Sequence, residues 1–270
     1  MISSESENVP ERSFEELLGA VVRRRVAGAV GQARNVLIIG FGTGVYTEAV
    51  LEIPELETLT LVELSTGAMT NLRKIPFIDD IVTEERLELI IDDGRRVLQR
   101  DSRKYDLIVM DPMHPQSAYS NNIYSREFFE LVRSRLAEGG ALLTFNGWDG
   151  VLTKTVLSVF PYVRVYRYFC IASESGLAID RARKGAVLAG LSASELARIR
   201  ELEGWYLGDR EALLARLSGY PINSDWKPVA EYFLGVGFQG GRRMEWRPEP
   251  GAQGLREQGD PTEAGEGRSG

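Results

Sequence analysis

The sequence predicts an α/β fold organised around a largely parallel sheet. From Asn35 onward, short apolar runs alternate with longer amphipathic stretches. The runs are apolar throughout rather than at every second position, as expected for strands covered on both faces by crossover helices.

Each element can be justified in order. A polar start, "MISSESENVPER", precedes Ser13, which has Glu16 three residues on in capping-box spacing. "FEELLGAVVRRRVAGAV" then reads as a helix with an apolar face. Five strands follow: "NVLIIG" (35–40), "TLTLVEL" (58–64), "RLELII" (86–91), "YDLIVMD" (105–111) and "GALLTFN" (140–146). Helices are expected at Val45 to Glu52, Thr66 to Lys74, Gly94 to Gln99, Ser125 to Ala137 and Leu152 to Val159. Ser125 reads as the N-cap of its helix, and the glycines of "AEGGAL" stop that helix and start the fifth strand. "YVRVYRYFCIA" and "KGAVLAGL" are expected to form a hairpin-like pair that closes one sheet edge. Two helical stretches come next, "SASELARIRELEG" and "DREALLARLSG", the second capped by Asp209. Beyond about Gly237 the sequence is Gly, Pro and charge, the composition of a disordered tail. The division expected is a tail and helix over 1–33, one domain over 34–237 and a second tail over 238–270.

Composition narrows the function. A net charge of −7 argues against a general nucleic-acid surface, and the basic groups "VVRRRV" and "GGRRMEWR" are short and interrupted. No apolar run approaches a membrane span, and the start lacks the basic-then-apolar order of a secretory signal, so a cytoplasmic protein is expected. With one cysteine, Cys170, and one histidine, His114, neither an internal disulfide nor a Cys/His metal site is expected. Cys170, among strand-forming residues, reads as a buried small hydrophobe.

Three successive strand ends carry candidate binding chemistry. "IIGFGTGV" places Gly40, Gly42 and Gly44 between a strand and a helix, where a backbone without side chains can approach a ligand. This G-x-G-x-G spacing is one residue tighter than the dinucleotide fingerprint, which favours a nucleoside such as S-adenosylmethionine over NAD. Glu63, about twenty residues on, ends the second strand where an acid takes both ribose hydroxyls. Asp92 and Asp93 end the third, where a carboxylate can accept from an adenine amino group. Turn chemistry or helix capping explains each position alone. Their convergence on the ligand-binding edge of an open α/β sheet favours a site.

Together "VLIIGFGTGVYTEAVL", "LTLVEL", "LELIIDDGRRVL", "YDLIVMDPMHP", "NIYSREFFELVRSRLAEGGAL" and "NSDWKPVAEYF" resemble the spermidine synthase (polyamine aminopropyltransferase) family, in its divergent bacterial branch, from about Asn35 to Phe233. The resemblance implies a Rossmann-like fold of the class I S-adenosylmethionine-dependent methyltransferase type with an antiparallel edge. It also implies aminopropyl transfer from decarboxylated S-adenosylmethionine to an amine, without a metal. Gly40, Gly42 and Gly44 then match the loop around the methionine-like part of the donor, Glu63 the ribose-binding acid, and Asp93 with Gly94 the adenine-contacting pair. Asp111 matches the carboxylate that orients and deprotonates the attacking amine.

Three departures mark the family pattern. Thr43 stands where the family has an aspartate facing the donor's ammonium. That aspartate would repel the carboxylate of intact S-adenosylmethionine, so its loss weakens the preference for the decarboxylated donor. His114 stands where a second acid holds the far amine of a diamine, and only one helix and a tail precede the first strand where the family has a β-hairpin domain. Two readings of His114 stand: a member of an altered acceptor pocket lined also by Tyr119, Asn121 and Tyr124, or a loop histidine bonded to backbone. Glu231 and Tyr232 could close the pocket or simply pack, and Trp148 and Trp226 read as core or lid. The leading function is therefore transfer of an aminopropyl group to a small-molecule amine. Methyl transfer from S-adenosylmethionine and a non-catalytic nucleoside-binding module are the alternatives. A homodimer is compatible with the "VVRRRV" helix.

Overall fold

The structure is a computed structural model that describes residues 33–110, 117, 119–146, 150–166, 169–176 and 206–230. The expected first helix, "KGAVLAGL", "SASELARIRELEG", Trp148, Glu231, Tyr232 and the C-terminal tail lie outside the described residues. So do Asp111 and His114.

Eight strands form one sheet in the order β3-β2-β1-β4-β5-β7-β6-β8. They are β1 (Asn35–Ile39), β2 (Thr58–Glu63), β3 (Leu87–Ile91), β4 (Tyr105–Met110), β5 (Leu136–Phe145), β6 (Tyr162–Tyr166), β7 (Phe169–Ser173) and β8 (Tyr206–Asp209). Strands β3, β2, β1, β4 and β5 pair in parallel, and β7, β6 and β8 add an antiparallel edge. The helices are α1 (Val45–Leu51), α2 (Thr66–Leu72), α3 (Pro76–Val82), α4 (Gly94–Arg100), α5 (Arg126–Arg135), α6 (Gly150–Val159) and α7 (Arg210–Arg216), with a 3-10 turn at Ser120–Ile123.

The apolar strand runs follow from two cores. Val36 and Ile38 of β1 pack into one apolar cluster, with residues of α1, α2 and α3. Leu37 and Ile39 pack into the other, with residues of α4, α5, α6 and α7. A strand whose alternate residues enter two cores must be apolar at every position. Each fully buried side chain of this size contributes about 1.5–3 kcal/mol relative to exposure, so the central strands are the most strongly held part of the fold.

Several elements depart from the expectations. "YVRVYRYFCIA" is two strands, β6 and β7, paired with each other in register Val165 to Cys170. No glycine, proline or asparagine marks the join, so the sequence carries no turn signal there. Helix α3 was not anticipated, although Pro76 occupies its first turn behind an extended Ile75 and Ile78 and Ile81 face the core. Helix α5 stops at an extended Leu136, before the glycines expected to end it. Those glycines fall within β5, whose register against β4 shifts between Tyr105 and Leu107. Strand β8 was also missed, while Asp209 caps α7 as expected, accepting from the Ala212 amide at 3.2 Å. Cys170 is fully buried, and burial pushes its thiol up to about 12.

Candidate functional site

The candidate site is built where β1, β2, β3 and β4 end. After β1 the chain turns sharply: Gly40, Gly42 and Gly44 have φ of 92°, 55° and 85°. These are left-handed conformations that side chains rarely adopt, which is why this turn is made of glycine. Gly44 is doubly constrained, because a Cβ there would lie 2.8 Å from the buried Phe41 ring. Gly42 and Thr43 are exposed, at the tip of the loop.

Glu63 joins this loop to the next strand. Its Oε2 accepts from the Phe41 amide at 3.0 Å and its Oε1 from the Ser65 amide at 2.8 Å. Each oxygen keeps a second lone pair, so the carboxylate is fixed in place and can still accept from two adjacent hydroxyls. Beside it, Leu64 and Ile91 are 62% and 40% exposed, unusual for large aliphatic residues at strand ends. Ile91 is the register partner of Glu63. The acid is thus flanked by an apolar surface suited to a flat ring.

The third strand end holds both expected acids in local contacts. Asp93 caps α4, its Oδ1 accepting from the Arg96 amide at 2.9 Å, and its Oδ2 accepts from Asn122 Nδ2 at 2.7 Å. Asp92 accepts from the Asp93 amide at 2.7 Å and pairs with Arg96. Both carboxylates thus carry capping and turn contacts, and each Asp93 oxygen keeps a second lone pair, as in Glu63. Gly94 is required here because a Cβ would lie 2.6 Å from Ile39 Cγ2, so α4 packs directly on β1.

Two segments distant in sequence close this side. Arg95 binds Asp225 through both guanidinium nitrogens, at 2.8 and 2.5 Å, and also donates to the Asn122 carbonyl at 3.3 Å. The hydrogen bond from Arg95 holds the Asp225 carboxyl below its ordinary range, and Arg95 is itself raised by the same bond. Asn121 donates to the Ser224 carbonyl at 3.3 Å. Asn223, fully buried, anchors the segment: its Nδ2 donates to the Tyr124 carbonyl at 3.0 Å, and its Oδ1 accepts from the Val229 and Ala230 amides at 2.8 and 3.2 Å.

The residues expected to line an acceptor pocket separate here. Tyr119 is 87% exposed and has a left-handed φ of 68°, rare for a tyrosine. Asn121 is half-buried. Tyr124 does not fit the expectation: it is fully buried, packed in the core with Phe128 and Phe129, and faces no open space. Trp226, expected in the core or as a lid, is 93% exposed in the Ser224–Lys227 turn and is not a core residue. Ser125 caps α5 as expected, accepting from the Phe128 amide at 3.2 Å. Met110, the residue before Asp111, is the register partner of Ile39, the residue before Gly40. Asn122, Arg95, Asp225 and Asn223 were not singled out in the sequence. The paired asparagines at 121 and 122 were the only local sign, since Arg95 and Asp225 meet across 130 positions.

Among the described residues no cluster of three or more His, Cys, Asp or Glu could hold a metal, and no helix is long and apolar enough to cross a membrane.

Comparison with known proteins gives one consistent result. Residues 15–172, more than half of the chain, match the family model described as a spermine/spermidine synthase domain. The chain is 31% identical over 200 residues to polyamine aminopropyltransferase 2 of Hyperthermus butylicus, covering 68% of this chain and 65% of that protein. It is 32% identical over 147 residues to polyamine aminopropyltransferase 2 of Pseudomonas aeruginosa, covering 50% and 42%. It is 35% identical over 135 residues to the polyamine aminopropyltransferase of Korarchaeum cryptofilum, covering 49% and 40%. The matches thus span from two fifths to just under two thirds of these relatives' lengths. Among solved structures, a probable spermidine synthase from Corynebacterium glutamicum superposes with a TM-score of 0.58 at 19% identity, covering 79% of this chain and 80% of that one. A spermidine synthase in complex with the transition-state analogue AdoDATO superposes with a TM-score of 0.53 at 21% identity, covering 61% of each chain. At these identities the structural matches establish the fold, which is that of class I methyltransferases as expected.

Proposed function

The chain belongs to the spermine/spermidine synthase family, and from that premise we propose that it is a transferase moving an aminopropyl group from decarboxylated S-adenosylmethionine to an amine acceptor, in polyamine biosynthesis. The observation that carries the reading is the coupling of the glycine loop to Glu63 through the Phe41 amide. It sets a glycine-rich loop and a fixed carboxylate next to each other, with an apolar surface beside them, as a sulfonium-bearing nucleoside requires.

In the reaction proposed, the acceptor nitrogen attacks the carbon next to the sulfonium, the carbon–sulfur bond breaks, and methylthioadenosine leaves with the bonding pair. The nitrogen then loses a proton. Asp111 is the proposed base, supported by its place directly after β4, whose last residue is in register with the end of β1. His114 is the proposed second member of the acceptor pocket, with Tyr119 and Asn121. Gly40, Gly42, Thr43, Gly44, Glu63, Asp92, Asp93 and Gly94 are proposed donor contacts. The acidic charge supports a small-molecule acceptor rather than a nucleic-acid partner.

One observation favours a second reading, methyl transfer from intact S-adenosylmethionine: Thr43, exposed at the loop tip, puts no carboxylate where one would repel the intact donor. Calorimetric titration with the two donors side by side separates the readings. A tenfold preference for the decarboxylated form, equivalent to about 1.4 kcal/mol, supports aminopropyl transfer. A preference for the intact form supports methyl transfer, and binding of neither overturns the site.

A further inference from the structure

The turn formed by Ser224 and Lys227 is held more firmly than packing requires. Its ends exchange backbone bonds, Ser224 N to Lys227 O at 3.2 Å and Lys227 N to Ser224 O at 3.1 Å. Three other elements grip it from outside. The Asp225 amide donates to Glu127 Oε2 at 2.9 Å, Asn121 Nδ2 donates to the Ser224 carbonyl at 3.3 Å, and Arg95 binds the Asp225 carboxylate through two nitrogens at 2.8 and 2.5 Å. Yet the largest side chain of the turn, Trp226, is 93% exposed. Burial of that ring does not explain the anchoring; placement of the turn beside the site does.

Arg95 is the anchor that comes from the donor side. It follows Gly94 in the first turn of α4, which is pressed so closely on β1 that a Cβ at Gly94 would lie 2.6 Å from Ile39 Cγ2. From that fixed base the guanidinium reaches two segments at once: the Asp225 carboxylate and, at 3.3 Å, the Asn122 carbonyl of the loop that also carries Tyr119 and Asn121. Both partners of the ion pair are partly buried, so salt screens it less than a surface pair. A planar fork of five donors makes this three-bond contact, whereas a lysine ammonium keeps the charge and loses the geometry.

We infer that Arg95 is a positioning residue for the amine acceptor: acting through Asp225, it sets the 224–227 turn against the loop of Tyr119 and Asn121 and so completes the acceptor side of the site. The inference rests on the aminopropyl-transfer reading above. The proposed donor contacts lie on other segments, in the glycine loop, at Glu63 and at the end of β3, so nucleoside affinity does not depend on where the turn sits. Apparent acceptor affinity does, because it scales with the fraction of molecules in which the turn is in place.

The test is steady-state turnover of the full chain with decarboxylated S-adenosylmethionine and 1,4-diaminobutane, together with calorimetric titration of 5′-methylthioadenosine, for the wild type, Arg95→Lys, Asp225→Asn and the double variant. All are assayed well below their melting temperatures. Each single substitution is expected to raise the amine KM about five- to tenfold, with kcat within threefold and methylthioadenosine affinity within twofold of the wild type. The double variant is expected to be no worse than the weaker single one, since the two residues act as a unit. An unchanged KM in both single variants overturns the inference, because a merely structural pair would lower only the melting temperature. A raised KM in Asp225→Asn alone also overturns it, since Arg95→Lys keeps the charge and the effect would then be electrostatic. Multiplied effects in the double variant, or nucleoside affinity falling in step with the amine KM, overturn it as well. If the wild type binds methylthioadenosine but transfers nothing to the amine, the transfer reading itself is wrong and the inference falls with it.

Discussion

Asn223→Ala is the substitution whose cost follows most directly from the structure. The side chain makes three hydrogen bonds: a donation to the Tyr124 carbonyl and acceptance from the Val229 and Ala230 amides. Asn223 itself is 0% exposed and Ala230 only 6% exposed. Truncation to alanine leaves three backbone groups without their partner, two of them in fully buried surroundings. A buried group stripped of its partner costs about 1–3 kcal/mol, and a partly wet one less, so the total comes to about 3 kcal/mol after some relaxation. For a domain of this size that lowers the melting temperature by about 6–12 °C. The backbone N–H of Asn223, donating to Thr155 Oγ1 at 2.9 Å, and its carbonyl, accepting from the Arg126 amide at 2.9 Å, are untouched by the change. The segment should therefore loosen from residue 224 onward. Differential scanning calorimetry measures the first effect, and limited proteolysis with the cut mapped by mass spectrometry measures the second. A variant that melts within 2 °C of the wild type and resists cleavage after residue 223 would refute the view of Asn223 as the anchor.

Three further outcomes are expected. Gly94→Ala forces a Cβ to 2.6 Å from Ile39 Cγ2; overpacking of this kind costs about 1–3 kcal/mol, and because α4 shifts with its cap, calorimetry should show weakened nucleoside binding as well as a lower melting temperature. Asp225→Asn breaks the Arg95 ion pair, worth about 1 kcal/mol for a partly exposed bidentate contact. Because the folded-state pKa of Asp225 is lowered by Arg95, its contribution is present above the unfolded value of about 3.9 and is lost as pH falls through the folded value. Melting curves of wild type and Asp225→Asn should therefore differ at pH 7 and converge in acid. Asp111→Asn should abolish turnover while leaving nucleoside affinity within twofold, as read by product chromatography and titration; retained turnover would remove Asp111 from its proposed role.

The parallel half of the fold was legible because its strands enter two cores and so carry an uninterrupted apolar signal, as β1 does with Val36 and Leu37 facing opposite ways. The antiparallel edge was less so. β6 and β7 meet without a turn residue, and β8 is four residues long with Gly208 inside it. At the site, the glycine loop and Glu63 could be placed because each is a local signal at a strand end. Asp93 shows the limit of such signals. The same carboxylate caps α4 through the Arg96 amide and holds Asn122, and the second of these contacts has no local signal. Asn223 and Arg95 were out of reach altogether, since their partners Tyr124 and Asp225 lie 99 and 130 positions away. Tyr124 was misplaced for a related reason. A tyrosine near a candidate pocket in sequence says nothing of which face its ring takes, and this one is in the core.

The distance that hid Asn223 from sequence analysis also dictates an order of assembly. Strands β1 to β5 pair with neighbours available by residue 145, and their crossovers are short. The wall made by residues 223–230 must wait for a chain closure of about a hundred residues onto the Tyr124 region. Contacts of such separation come late, because the entropy of closing the loop is spent before the contacts return anything. During synthesis from the N-terminus the central sheet can therefore be in place while this wall is still missing. The emerging protein passes through a stage with a formed scaffold and an open site, and activity is expected to appear after the sheet does. The same asymmetry makes the 223–230 segment the first part of the described fold to open under mild denaturant, well before the central strands give way.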